Sequence, residues 1–256
     1  MLLHVSNAVQ KGCKKVTIRT VDTDVVVLAV AMFRKIKPEE MWIALGSGAN
    51  LRYIGVHEIA NKLDSSTCAA LPMFHALTGC DTVSAFAGRG KKTAWETWKA
   101  FPEVTEAFAE LQQMQGDLSE LSKSRLERFV VLMYDRTSEA TEVNEARKQL
   151  FTQKSRTLEN MPPTKAALEQ HIKRATYQAN IWYKALQPDP QLPSPSDWGW
   201  VKEEMGWQPL WTTLPEASQS CYELIHCGCK KGCTTRCKCK KAALKCTALC
   251  SCSIDC

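Results

Sequence analysis

Ten of the chain's thirteen cysteines fall in its last 36 residues, from Cys221 to Cys256. Nine of them keep a regular spacing: Cys227-x-Cys229-x3-Cys233-x3-Cys237-x-Cys239-x6-Cys246-x3-Cys250-x-Cys252-x3-Cys256. Thiolates crowded at this spacing are ligands for a soft divalent cation, zinc first of all. Two tetrahedral zinc ions would use eight sulfurs and strand the ninth. Three ions need twelve ligand positions, which six terminal thiolates and three bridging ones supply. The same stretch carries seven Lys and Arg (Lys230, Lys231, Arg236, Lys238, Lys240, Lys241 and Lys245) against Glu223 and Asp255. Its net charge is therefore +5, and only +1 of the chain's +6 remains for residues 1–220. That basicity offsets the negative charge of a cluster of nine thiolates and three Zn²⁺. It also predicts a cationic end that meets the phosphates of duplex DNA through Lys230, Lys231, Arg236, Lys238 and Lys240.

Two other chemistries compete for the cysteines. A disulfide scaffold requires an oxidising compartment and a secretory leader. The opening residues MLLHVSNAVQKGC have no charged leader ahead of their short apolar stretch, which predicts neither. A metallothionein-like buffer suits the CxC pairs and lysines but has no use for the Leu and Ile of CYELI and KKAALKC. Structural zinc is the favoured reading, with a metal-free tail that has too little core to fold. Cys221 stands outside the pattern, as a free thiol or an alternate ligand. His226 adjoins Cys227, but the ligand count closes without it.

A second set of residues suggests a harder metal. Asp22 and Asp24 lie in TVDTDVVVL, where a strand ends and a helix begins, the usual ligand position of an open α/β sheet. On this pair alone, a helix cap and a turn would account for both. Further on, HALTGCDTVSAFAGRGKKTAWETW places Asp81 after a helix and Gly88-Arg89-Gly90 at the start of the next, followed by Lys91 and Lys92. A GxG turn at a helix start exposes backbone N–H groups to phosphate, and the lysines add charge. Three carboxylates in this order predict a site for magnesium or manganese.

The elements that must position these groups follow from periodicity. VTIRT (16–20) reads as a strand, 25–36 as a helix, and MWIAL and LRYIGV as a hairpin joined by GSGAN. After Val56 the spacing turns helical, through HEIANKL, STCAALPMFHAL, GKKTAWETWKAF, PEVTEAFAELQQM, LSELSKSRLERFVVLMY, EVNEARKQLF and one long helix over 164–187. The stretch QPDPQLPSPSDWGW then breaks the pattern as a Pro/Trp-rich linker. Its tryptophans, with Trp207 and Trp211, are read as anchors onto the helical body in preference to a partner-binding site.

The cysteine tail resembles the tesmin-type CXC domain, related to the cysteine-rich module that precedes SET domains. That resemblance implies a three-zinc, nine-cysteine cluster on Cys227, Cys229, Cys233, Cys237, Cys239, Cys246, Cys250, Cys252 and Cys256 and, in many members, DNA binding. Some members place a Tyr in the minor groove where this chain has Arg236, which is read either as a groove contact or as a solvated charge balancing the cluster. Residues 15–100 resemble the flap-endonuclease (XPG-type) branch of the PIN-like 5′-nucleases. The resemblance implies that Asp22, Asp24 and Asp81 hold catalytic metal ions for phosphodiester hydrolysis. It also implies a helix-hairpin-helix at Gly88, Gly90, Lys91 and Lys92 that tracks the DNA backbone. Members carry further acidic ligands upstream, whereas residues 1–15 contain no Asp or Glu. The expectation is an N-terminally truncated or degenerate nuclease unit without efficient cleavage.

The predicted organisation is an α/β, PIN-like unit over 1–100, a helical array over 101–187, a linker over 188–220 and a small zinc domain over 221–256. A non-catalytic chromatin or DNA-binding module, or a protein-interaction module built on the tail, is the alternative. A nuclear location is inferred from the DNA contact alone. His75 is read as a packed core histidine, and Cys80 has no histidine to make it a nucleophile. Composition is 45% hydrophobic and 23% charged, and no apolar run approaches a membrane span. These features exclude a disordered chain, an integral membrane protein and a coiled-coil rod.

Overall fold

The computed structural model describes residues 1–113, 119–152, 160–212, 226–229, 232–235, 237–241, 244–246 and 250–252. The chain divides into two compact units, Met1–Thr212 and Thr213–Cys256.

The first unit opens with α1 (Leu2–Gln10), β1 (Lys15–Thr20), α2 (Thr23–Ile36), β2 (Glu40–Leu45) and β3 (Arg52–Gly55). β1 and β2 pair in parallel from Lys15↔Glu40 to Thr20↔Leu45, joined by α2 as a crossover. β3 returns antiparallel to β2, closing a three-stranded sheet of order β1-β2-β3. The predicted strand, helix and hairpin are thus all present. Ile18, Met41, Ile43 and Leu45 bury against Ala29, Val30 and Met32 of α2, with Leu2 and Val5 of α1 in the same core. Asp22 ends the strand-to-helix turn as the N-cap of α2, its carboxylate accepting the Asp24 N–H at 2.8 Å. Arg34, in the last turn of α2, donates to the Ala60 and Leu63 carbonyls at 2.7 and 3.0 Å. These bonds fasten α2 to the end of α3 (Val56–Lys62).

The helical array follows as α4 (Ser65–Leu77), α5 (Lys91–Ala100), α6 (Val104–Gln113), α7 (Glu120–Tyr134), α8 (Val143–Thr152) and α9 (Lys165–Tyr183). α4 belongs to both halves: Cys68 faces the sheet core, and Met73, Phe74 and Leu77 enter the helical core. Because α6 and α9 both pack on α4, the predicted segments 1–100 and 101–187 share one compact unit. Aromatic rings run through that core. Phe74, Trp98, Phe108 and Phe129 form successive pairs with centroids 4.8, 5.2 and 5.6 Å apart, the last two edge-to-face.

The Pro/Trp stretch lies on α9. Tyr177 donates to the Pro193 carbonyl at 3.3 Å, its ring sits 6.2 Å from Trp198, and Arg174 donates to Gly199 O at 3.2 Å. Gly199 has φ +77°, and a Cβ there would lie 2.9 Å from the Gln170 carbonyl oxygen, so only glycine lets the chain pass this close to α9. A hairpin of β4 (Trp200–Glu203) and β5 (Gly206–Pro209) follows. Trp198 therefore anchors the segment as expected, whereas Trp211 is 77% exposed.

Two consequences can be measured. Phe108 is fully buried at the centre of the aromatic run. Phe108→Ala removes most of that ring and is expected to cost about 3–5 kcal/mol in chemical denaturation. His171 of α9 donates from Nε2 to the Leu77 carbonyl at 2.7 Å, and burial holds its pKa down at about 4. The unfolded chain takes up this proton near pH 6.5 and the folded chain does not. The stability it contributes is therefore present above pH 6.5 and is lost as pH falls from there towards 4, by about 3 kcal/mol. His171→Gln is expected to flatten that part of the stability-against-pH curve.

Candidate metal centre

Among the described residues of the second unit, the buried cluster is made of cysteine. Cys227, Cys237, Cys239 and Cys246 are buried, with Cys229, Cys233, Cys250 and Cys252 packed against them. Short-range turns fold the sulfurs inward. Gly232, just before Cys233, has φ +94°, a conformation that favours glycine. A single helical turn, Lys238–Lys241, begins beside Cys237, whose carbonyl accepts the Lys241 N–H at 3.0 Å. The distant ends are tied by Ser251 N–H to Cys227 O at 2.9 Å and by Cys227 N–H to Cys250 Sγ at 3.4 Å.

Three groups of four thiols result, each with its sulfurs within 4.8 Å of one another. They are Cys227/Cys239/Cys246/Cys250, Cys227/Cys233/Cys246/Cys252 and Cys227/Cys229/Cys233/Cys237. The second is the best defined. Cys227 lies 3.6, 3.9 and 3.5 Å from Cys233, Cys246 and Cys252, and Cys233 lies 3.5 and 3.6 Å from Cys246 and Cys252. A zinc ion with four bonds of about 2.3 Å sets its sulfurs about 3.8 Å apart along each edge of the tetrahedron. The sulfur spacing is therefore that of a ZnS₄ site. Cys227 belongs to all three groups, and Cys233 and Cys246 to two each, so the groups overlap. The eight described ligand cysteines are all free thiols. Cys256, Lys230, Lys231, Arg236 and Cys221 lie outside the described residues.

Crowding sets the protonation of these sulfurs. Desolvation pushes Cys239 up to about 12, and desolvation followed by neighbouring thiols pushes Cys233 up as well. The Lys240 backbone N–H holds Cys237 down at about 6. Zinc binding at Cys233 and Cys239 must therefore displace protons that burial holds on these sulfurs. Lys238, Lys240, Lys241 and Lys245 are exposed around this core. Lys240 also donates to the Cys233 carbonyl at 2.9 Å.

The aspartates are placed differently from expectation. Asp24 accepts from His75 Nε2 at 2.7 Å, a bond that joins α2 to α4. His75 is buried, with Trp182 of α9 5.7 Å from its ring, and burial pushes its pKa down against the opposing pull of Asp24. Asp22 is committed to capping α2, and Asp81 is exposed in the connection from α4 to α5. Among the described residues, the groups of three or more metal-ligating side chains within 4.8 Å are cysteine groups, and the three aspartates do not form one. Lys91 is also reassigned. Its ammonium donates to His75 O, Thr78 Oγ1 and Gly79 O at 3.0, 3.2 and 2.5 Å, which fastens the end of α4. Gly88, at φ +65°, and Gly90, the N-cap of α5, form the expected turn, and Lys92 is exposed beside it. Nothing in the spacing pointed to the Asp24–His75 bond, which spans 51 residues of sequence.

The chain matches no family model, no curated protein and no solved structure. Among the described residues no helix is long and apolar enough to cross a membrane.

Sharing of ligands makes the cysteines unequal. Cys227→Ser is expected to abolish zinc retention by the full chain, whereas Cys221→Ser leaves it intact. Metal analysis after dialysis against a weak chelator reads the difference. Zinc should be released on acidification, with a midpoint that moves to lower pH as free zinc is raised.

Proposed function

We propose that residues 221–256 form a structural zinc cluster that presents a cationic surface to nucleic acid, and that residues 1–212 are a scaffold of 5′-nuclease ancestry without catalysis of its own. The observation that carries this reading is the close packing of the Cys227, Cys233, Cys246 and Cys252 sulfurs, Cys227 and Cys233 each lying 3.5–3.9 Å from the other three. Three zinc ions on nine thiolates fit the ligand count. Lysines 238, 240, 241 and 245 ring the cluster and supply the charge that phosphates recognise. The non-catalytic reading of the body rests on Asp24, which spends its carboxylate on His75, and on the dispersal of Asp22, Asp24 and Asp81.

The test uses the full chain loaded with zinc. Duplex DNA should bind at low salt, with log K falling linearly in log salt at a slope of about −0.9 per phosphate contacted. Replacing Lys238, Lys241 and Lys245 together by Ala should weaken binding and reduce that slope, while zinc content stays unchanged. No binding at low salt overturns the assignment to nucleic acid. Magnesium-dependent cleavage abolished by Asp81→Ala overturns the non-catalytic reading of the body.

A further inference from the structure

Arg174 of α9 is 8% exposed and lies at the root of the β4–β5 hairpin. A guanidinium this buried is ordinarily paired with a carboxylate. Among the described residues Arg174 has no such partner. Its one hydrogen bond there is the 3.2 Å donation from Nη1 to the Gly199 carbonyl, which already accepts the Leu210 N–H at 2.9 Å. Burial pushes its pKa down and no carboxylate opposes the push, yet a guanidinium keeps its proton. Gln170, one turn earlier on α9, has its side-chain oxygen buried without a donor, so it takes nothing from Arg174. The stem is held in place, since Cγ lies 3.3 Å from where a Gly199 Cβ would be. Nε and Nη2 are without a protein partner and are not sealed from solvent.

Apolar surface adjoins this charge. Leu210, which shares the Gly199 carbonyl with Arg174, is exposed, and so are Trp211 and Trp207. β4 and β5 form a two-stranded sheet, so each strand keeps an open edge. Near the hairpin turn Glu203 and Glu204 outnumber Lys202, and all three are exposed. A polyanion such as nucleic acid is repelled by that turn, whereas a single carboxylate placed at the root meets Arg174.

We infer that the root of the β4–β5 hairpin docks an extended segment of a partner protein in which an Asp or Glu stands among apolar side chains. The carboxylate accepts the outer N–H groups of Arg174. The apolar side chains cover Leu210 and Trp211, and the backbone adds to an open edge of the hairpin. The inference is independent of the zinc cluster and of nucleic acid.

The probe is a displayed library of random nonapeptides, selected on the immobilised full chain loaded with zinc. Selected peptides should share an acidic residue flanked by apolar ones. A synthetic peptide of that consensus should bind at least about tenfold more tightly than the same peptide with its Asp or Glu changed to Asn or Gln, the scale of one charge-assisted bond. Arg174→Met should lose the same factor, while its denaturation midpoint stays level or rises because a buried unpaired charge is gone. Trp211→Ala, at an exposed position, should also weaken binding and gives a second reading should Arg174→Met unfold. No enrichment, a consensus without an acid, or peptide binding that survives Arg174→Met overturns the inference. So does loss of duplex DNA binding in Arg174→Met at unchanged zinc content, which would assign the guanidinium to phosphate. A dimer of the full chain that Arg174→Met dissociates would seat a second copy there and overturns it too.

Discussion

Sulfur held at the spacing of a tetrahedral ligand set is the constraint on which the C-terminal unit depends. Thiols packed this closely, within 4.8 Å of one another in each group, repel one another once ionised, and as neutral thiols they bury little apolar area. Neither state supplies the free energy that would order so short a chain. A divalent cation within each group converts that repulsion into coordination, and the folding of the unit becomes metal binding. The surrounding lysines follow from the same constraint. Thiolates that outnumber the charge of the cations they hold leave a net negative cluster, which exposed Lys238, Lys240, Lys241 and Lys245 offset.

In the larger unit the organising element is α4. It carries Cys68 into the sheet core and Phe74 into the helical core, and its C-terminal end gathers polar bonds from three other helices. Lys91, His171 and Asp24 reach that end from α5, α9 and α2, meeting His75 or the carbonyls that follow it. The polar groups there satisfy one another and hold four helices together. A carboxylate at the carboxyl end of a strand is a good place for chemistry and an equally good place for a cap and a buried ion pair.

Much of this was legible in the sequence because local rules govern it. Alternation and turn residues marked β1, β2 and β3, and the 3.6-residue period marked α2 through α9. The CxC spacing marked the sulfurs that cluster. Long-range partnership was not legible. His75 looked like an ordinary buried histidine because its partner, Asp24, arrives only when α2 packs on α4. Lys91 looked like a phosphate ligand because it opens a helix after a GxG turn, yet the same opening points its amine at the end of α4. The unpaired charge of Arg174 leaves no trace in sequence pattern, since its burial depends on how the Pro/Trp stretch lies on α9.

The central claim is that the sulfurs at the carboxyl end hold metal, and the mass of the intact native protein tests it most directly. The account predicts the polypeptide mass plus three zinc ions, falling to the polypeptide mass alone under acid, with the nine ligand thiols then free to alkylate. A native mass without metal, lower than the reduced chain by two hydrogens for each pair of cysteines, would mean that the tail is joined by disulfides and would contradict it.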